Sequence, residues 1–183
     1  MSLRHAILTA LLERPSGGLE LTRRFDRSIG YFWSATHQQV YRELARLEHD
    51  GLVASTLQPG LRGSPRSYDV LPAGRAELRA WVELDEAPRE LRDPMMVRVR
   101  AAAVVGADAV APQVARHLAA HRERLAEYRE IEARDFADAD PTETRRLQHL
   151  VLQAGISLEE HWVRWLEHAD AELQPAAAGE HEG

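Results

Sequence analysis

The sequence predicts a mostly α-helical chain: three helices and a β-hairpin first, then an all-helical part built on long antiparallel helices. Three observations carry that prediction. Apolar residues recur at spacings of three and four in three short segments before residue 50. Two short segments with partial alternation, LVASTLQ and SYDVL, flank the Gly- and Pro-bearing linker PGLRGSPR. Residues 108–137 and 142–173 then each sustain a helical stripe well beyond the usual globular helix length of about 10–14 residues.

The first helix is LRHAILTALLER, with Leu3, Ile7, Leu8, Leu11 and Leu12 on one stripe, ended by Pro15 and the Gly17-Gly18 pair as a turn. LELTRRFDRS is a second, short helix with Leu21 and Phe25 four apart. Gly30 closes it, and Tyr31-Phe32-Trp33 is an aromatic connection aimed at the core. In the third helix Thr36 is the N-cap and Gln39, three residues on, completes a capping box. Val40, Leu44 and Leu47 face inward, and Gly51 is the C-terminal stop. The hairpin follows, its exposed tip carrying Arg62 and Arg66, and PAGRAELRAWVEL returns to helix with Leu78, Trp81 and Val82 on one side.

This order is the layout of a winged helix-turn-helix over residues 1–84. A third helix of this length fits a major groove, and its first turn aims backbone N–H groups and small polar side chains at DNA. Thr36, His37, Gln38 and Gln39 are therefore candidates for base or phosphate contact, and glutamine in particular pairs bidentately with adenine. Arg42 on the same exposed side and Arg62 and Arg66 on the hairpin are candidate phosphate ligands. Capping of the helix by Thr36 and Gln39, ion pairs from Arg42 or Arg46 to Glu43 or Glu48, and plain solubilising charge on a flexible loop for Arg62 and Arg66 are the competing structural roles.

Asp85 to Pro94 breaks the pattern, and Asp93-Pro94 starts an apolar helix. Residues 108–137 place Val114, Leu118, Leu125 and Tyr128 near heptad spacing. After the DADPTE turn, the last helix carries Leu147, Leu150, Val151, Ala154, Leu158, Trp162, Trp165 and Ala169. These stripes fit antiparallel pairing or a dimer interface over residues 85–174, with close helix approach or a kink at Gly155. The tail from 175 to 183 reads as disordered.

Charge follows the same division. Residues 1–80 sum to +3 and residues 81–183 to −9, within a net −6, so nucleic-acid contact is admitted at one end only. All 23 basic residues are arginine, and cysteine is absent, which excludes disulfides and thiolate metal sites. With no Gly-x-Ser-x-Gly, phosphate-binding glycine loop or other catalytic constellation, no enzyme and no cofactor is expected. No run of 18 apolar residues or export signal is present, so the expected setting is cytoplasmic and off the membrane.

Three stretches together resemble the PadR family of bacterial transcriptional regulators: LRHAILTALLERPSGGLEL, WSATHQQVYRELARLEHDGLV and GSPRSYDVLPAGRAEL. The segment from RDPMMVRV onward is similar to the longer helical C-terminal domain of one branch of that family. The chain departs from the family pattern at Leu19, often Tyr there, and at Pro72, usually Thr. The resemblance implies a homodimer binding double-stranded DNA at a near-palindromic operator, usually as a repressor. It also implies a DNA-backbone contact by Tyr41, for which a half-buried ring packing beneath the wing is the competing role, and in some members a response to small aromatic compounds. For such an effector, Arg98, Tyr128, Trp162 and Trp165 are the candidate lining residues, with plain helix packing as the competing role.

His117 and His121 stand four apart, a spacing able to hold a metal. The acidic residue of an H-E-x-x-H pattern is missing and His121 falls on the apolar stripe, so packing is the preferred role and no metal is expected. The rival functional reading is a helical metal- or ligand-binding protein whose winged helix contacts protein instead of DNA.

Overall fold

The structure, a computed structural model, describes residues 3–27, 35–57, 66–88, 90–137 and 142–173. The Phe25 side chain, the Tyr31-Phe32-Trp33 connection, the hairpin tip with Arg62 and the tail lie outside the described residues. The chain divides into two compact units, residues 1–88 and 89–183.

The first unit runs α1 (Leu3–Glu13), β1 (Ser16–Gly17), α2 (Gly18–Arg27), α3 (His37–His49), β2 (Val53–Leu57), β3 (Arg66–Val70) and α4 (Pro72–Val82). Its core is sealed. Ile7, Leu8 and Leu11 of α1, Leu21 of α2, and Val40, Leu44 and Leu47 of α3 converge with Val53 and Tyr68 of the sheet. The capping box at Thr36 and Gln39 forms as the sequence predicts. At the other end of α3, Leu52 N–H donates to Leu47 O (2.9 Å) and Gly51 N–H to Glu48 O (3.1 Å). That is the Schellman pattern, with Gly51 at φ +69° supplying the left-handed residue it needs.

Two features depart from the sequence reading. The Ser16-Gly17 turn is a short strand: β1 pairs antiparallel with β3, giving a three-stranded sheet in the order β1-β3-β2. A Cβ at Gly17 would lie 2.9 Å from Arg66 O, so the missing side chain is what lets these backbones approach. On α4 only Leu78 of the expected trio packs against the core, while Trp81 and Val82 are exposed. Trp81 instead stacks on His5 of α1, ring centroids 4.5 Å apart.

The second unit contains α5 (Pro94–Val105), a short 3-10 turn (Ala107–Ala109), α6 (Ala111–Asp135) and α7 (Glu143–Leu173). Asp93 caps α5, accepting from Met95 N–H at 2.7 Å, and Pro94 occupies its first turn, where no N–H partner is lost. Helices α6 and α7 pair antiparallel, as His121–Glu159 and Glu132–His149 contacts at opposite ends of the pair show. Their seam holds Val114, Leu118, Leu125, Tyr128 and Ile131 against Ile156, Glu159, Trp162, Leu166 and Ala169. Gly155 marks a close approach, since a Cβ there would sit 3.1 Å from the Tyr128 ring.

The α7 stripe differs from expectation. Leu147, Leu150, Val151 and Leu158 are exposed, with Leu150 at 61%. Leu147 falls on the same side of α7 as Trp165, and Val151 on the same side as Ala169, so this apolar side is covered where the helix joins Met95 and Ala102 of α5 and open from Leu147 to Leu158. Glu159 holds an inward position because His121 Nδ1 (2.5 Å) and Arg124 Nη1 (3.2 Å) both reach its carboxylate.

Candidate nucleic-acid interface

The first turn of α3 is held by its own side chains. Thr36 Oγ1 accepts from Gln39 N–H at 3.2 Å, and Gln39 Oε1 accepts from Thr36 N–H at 2.8 Å. These two residues are exposed but engaged. Gln38 is exposed and has no partner among the described residues, so its amide is available to a base edge. His37 is exposed beside it.

One turn on, Arg42 is exposed and unpaired among the described residues. The pairing that could have claimed it goes to Arg46, whose Nη1 lies 3.4 Å from Glu43. Tyr41 is 45% exposed, and its ring lies across the start of α2. A Cβ at Gly18 would come within 2.4 Å of Tyr41 Cε1. Glycine at that position therefore sets where the Tyr41 ring rests, a role the sequence reading missed by taking Gly17-Gly18 as a turn alone.

The hairpin stands beside α3. Arg66 opens β3 with its side chain 57% exposed, its Nη1 3.8 Å from Glu48. An ion pair this long and this exposed contributes little, so Arg66 stays available to a phosphate. Tyr68 is buried behind it; burial pushes its phenol above the ordinary value, and the Glu48 carboxylate adds to the rise. Gln38, Tyr41, Arg42 and Arg66 thus belong to one unit and to neighbouring elements, α3 and the hairpin stem, the arrangement that groove and phosphate contact requires.

The aromatic candidates in the second unit do not all meet. Trp162 and Trp165 contact edge to face, centroids 5.6 Å apart, in a cluster with Met95, Met96 and Val99 of α5. Trp162 also stacks on His121 at 5.5 Å. Arg98, exposed on α5, donates to Gln113 Oε1 at 2.6 Å. Tyr128 lies elsewhere, packed at Gly155. It is seven residues beyond His121 on α6, roughly 10 Å along the helix axis. His117 is exposed, its ring 6.4 Å from that of His121, and among the described residues no three metal-binding side chains converge.

Residues 7–80 match the model of the PadR-like transcriptional regulator family, and residues 91–174 that of the virulence activator alpha C-terminal domain. A probable transcriptional regulator of Mycobacterium tuberculosis is 41% identical, over 95% of this chain and 98% of the relative. The structure of the Vibrio cholerae virulence activator AphA superposes with TM-score 0.81 at 36% identity, covering 94% of this chain and 98% of that one. Bacillus subtilis PadR in complex with operator DNA shares the fold, with TM-score 0.80 at 24% identity over 93% and 97% of the two chains. The same Bacillus protein with p-coumaric acid gives TM-score 0.74, also at 24% identity, over 95% and 96%.

Proposed function

The chain belongs to the PadR-like family of DNA-binding transcriptional regulators, not to a class of enzymes, and we propose that it acts as a homodimeric repressor at a near-palindromic operator. Among the described residues no helix is long and apolar enough to cross a membrane. The observation that carries the reading is the exposed start of α3, where Gln38 and Arg42 are uncommitted beside the Arg66-bearing hairpin. Each α3 enters a major groove, with half-sites about one helical turn, roughly 34 Å, apart. Gln38 reads a base edge, while Tyr41, Arg42, Arg66 and Arg62, which lies outside the described residues, hold the backbone. The exposed α7 face with Leu147, Leu150, Val151 and Leu158 supports pairing through the second unit.

An aromatic effector would bind beside Trp162 and Trp165, with Arg98 as the cationic candidate on α5, and Tyr128 supporting the helix pair instead of the ligand. It would release DNA only by preferring one arrangement of the two DNA-binding units. The likeness to a relative named a virulence activator supports the opposite regulatory sign as a second reading. A reporter behind the chain's own upstream region decides: loss of the gene raises expression for a repressor and lowers it for an activator.

Binding to fragments of that upstream region, titrated with salt, tests the DNA contact itself. Log affinity falls with log salt by about 0.9 for each phosphate neutralised. Gln38→Ala weakens specific binding by roughly 1–3 kcal/mol, and Arg66→Ala weakens binding to all DNA and flattens the salt slope by about 1. No detectable binding at any salt overturns the reading in favour of a helical ligand-binding protein.

A further inference from the structure

We propose that Glu48 is the positioning residue that fixes the hairpin against the recognition helix, and with it the operator discrimination of the protein. The inference rests on the DNA-binding reading and adds a residue to it that makes no DNA contact.

Three observations lead there. Glu48 stands in the last turn of α3, and its Oε1 accepts from Ser55 twice: from the backbone N–H at 3.2 Å and from the hydroxyl at 2.5 Å. Ser55 is on β2, which ends the sheet in the order β1-β3-β2, so that among the described residues no strand lies beyond the N–H groups of its far edge. Glu48 supplies the acceptor a further strand would have given, and ties the edge of the hairpin to the helix that enters the groove. Its other oxygen, Oε2, lies 3.8 Å from Arg66 Nη1 on β3. One carboxylate therefore touches the recognition helix's own element and both hairpin strands. The two oxygens divide the work: Oε1 holds the strand, and Oε2 loosely restrains an arginine that a phosphate can take over.

The consequence is selective. Base edges are read only when the first turn of α3 sits in the groove at the right depth while the hairpin meets the flanking phosphates. Phosphates recur along any duplex and tolerate a shifted fit. A hairpin released from α3 keeps non-specific binding and loses the operator's advantage.

The test measures Kd for the upstream fragment and for a scrambled fragment of equal length, at one salt concentration, and takes their ratio. Glu48→Ala is expected to reduce that ratio at least ten-fold. Glu48→Gln keeps the acceptor toward Ser55 and is expected to hold the ratio within about three-fold while binding both fragments more tightly, because a negative charge beside the DNA is gone. Ser55→Ala removes one of the two bonds and reduces the ratio by less than Glu48→Ala. The double variant is no worse than Glu48→Ala alone, because both changes remove one interaction. Circular dichroism of each variant confirms the helical fold; should Glu48→Ala not fold, the Ser55→Ala and Glu48→Gln pair carries the comparison. An unchanged ratio in Glu48→Ala or, if only the pair is available, in Ser55→Ala overturns the proposal. So does equal damage from Glu48→Gln, or additive damage from the two alanines. Failure of the wild-type chain to bind any fragment is a separate result, which removes the DNA-binding reading and this inference with it.

Discussion

The two units bury apolar surface in different ways. In residues 1–88, side chains from α1, α2, α3 and the sheet converge on one core, where Ile7, Leu8, Leu21, Leu44 and Leu47 have no exposure. What remains on the surface of α3 carries His37, Gln38 and Arg42 beside the half-exposed Tyr41 ring. In residues 89–183, apolar contact runs along seams between α5, α6 and α7, and the apolar side of α7 stays open from Leu147 to Leu158. A unit closed on itself can present chemistry outward, as the first does with its uncommitted amide and guanidinium groups. A unit with an open apolar face invites a partner, and symmetry makes a second copy the economical one.

The largest expected effect concerns that open face. The double variant Leu150→Glu, Leu158→Glu converts two exposed leucines of α7 to charges. If a second copy covers them, each is worth roughly 1.5–3 kcal/mol of burial, and sedimentation will show a dimer turned to monomer. The helices themselves will persist, because exposed substitutions usually change stability by no more than about 0.5 kcal/mol. An unchanged dimer would move the association surface elsewhere and make the two units more alike than the buried surfaces indicate.

Next comes the closed core. Leu44→Ala removes a fully buried side chain from α3 and is expected to cost roughly 2–5 kcal/mol, read as a shift in the denaturation midpoint. The loss should appear in the transition of the first unit. A uniform loss across one cooperative transition would show that the two units unfold together.

The sequence announced these two regions unequally. Local devices were readable because each acts within a few residues: the Thr36-Gln39 box, the Gly51 stop and the Asp93-Pro94 start all form. The inward residues of α3 also follow from spacing alone. Contacts between distant residues did not show. Gly18 beneath Tyr41, Gly17 against Arg66 and Glu48 beneath Ser55 depend on where separate elements come to rest. On α7, spacing revealed the apolar side but not that it is covered only toward the C-terminal end, because spacing within one helix does not say where its neighbours stop. The inward Glu159 was hidden for another reason: its partners, His121 and Arg124, lie on a different helix.

A smaller effect is expected at the cap. Thr36→Ala removes the acceptor for Gln39 N–H and costs about 1 kcal/mol of helix stability. If the cap also orders the reading surface, operator affinity falls by more than that stability loss explains, while Gln39→Ala has a similar but weaker consequence. Hydrogen exchange at the first turn of α3 separates loss of order there from loss of the whole unit.

The smallest expected effect is a pH dependence confined to the closed unit. His5 is buried in α1 against Trp81, and that burial pushes its imidazole below the ordinary value of 6.5. Glu77, 3.6 Å from Nε2, pulls the other way, and Arg4 adds to the lowering. Burial wins. The folded chain therefore favours neutral His5, and the unfolded chain takes up a proton first as pH falls. The contribution is fully present above pH 6.5 and is lost as pH drops from there through the folded value. His5→Gln removes that titration, so the wild-type and variant stability curves should converge toward low pH and separate above neutrality, with only the first unit's transition affected. Curves that stay parallel from pH 5 to 8 would mean that the Glu77 carboxylate offsets the burial, and that the core of this unit is open to charge at its α1–α4 edge.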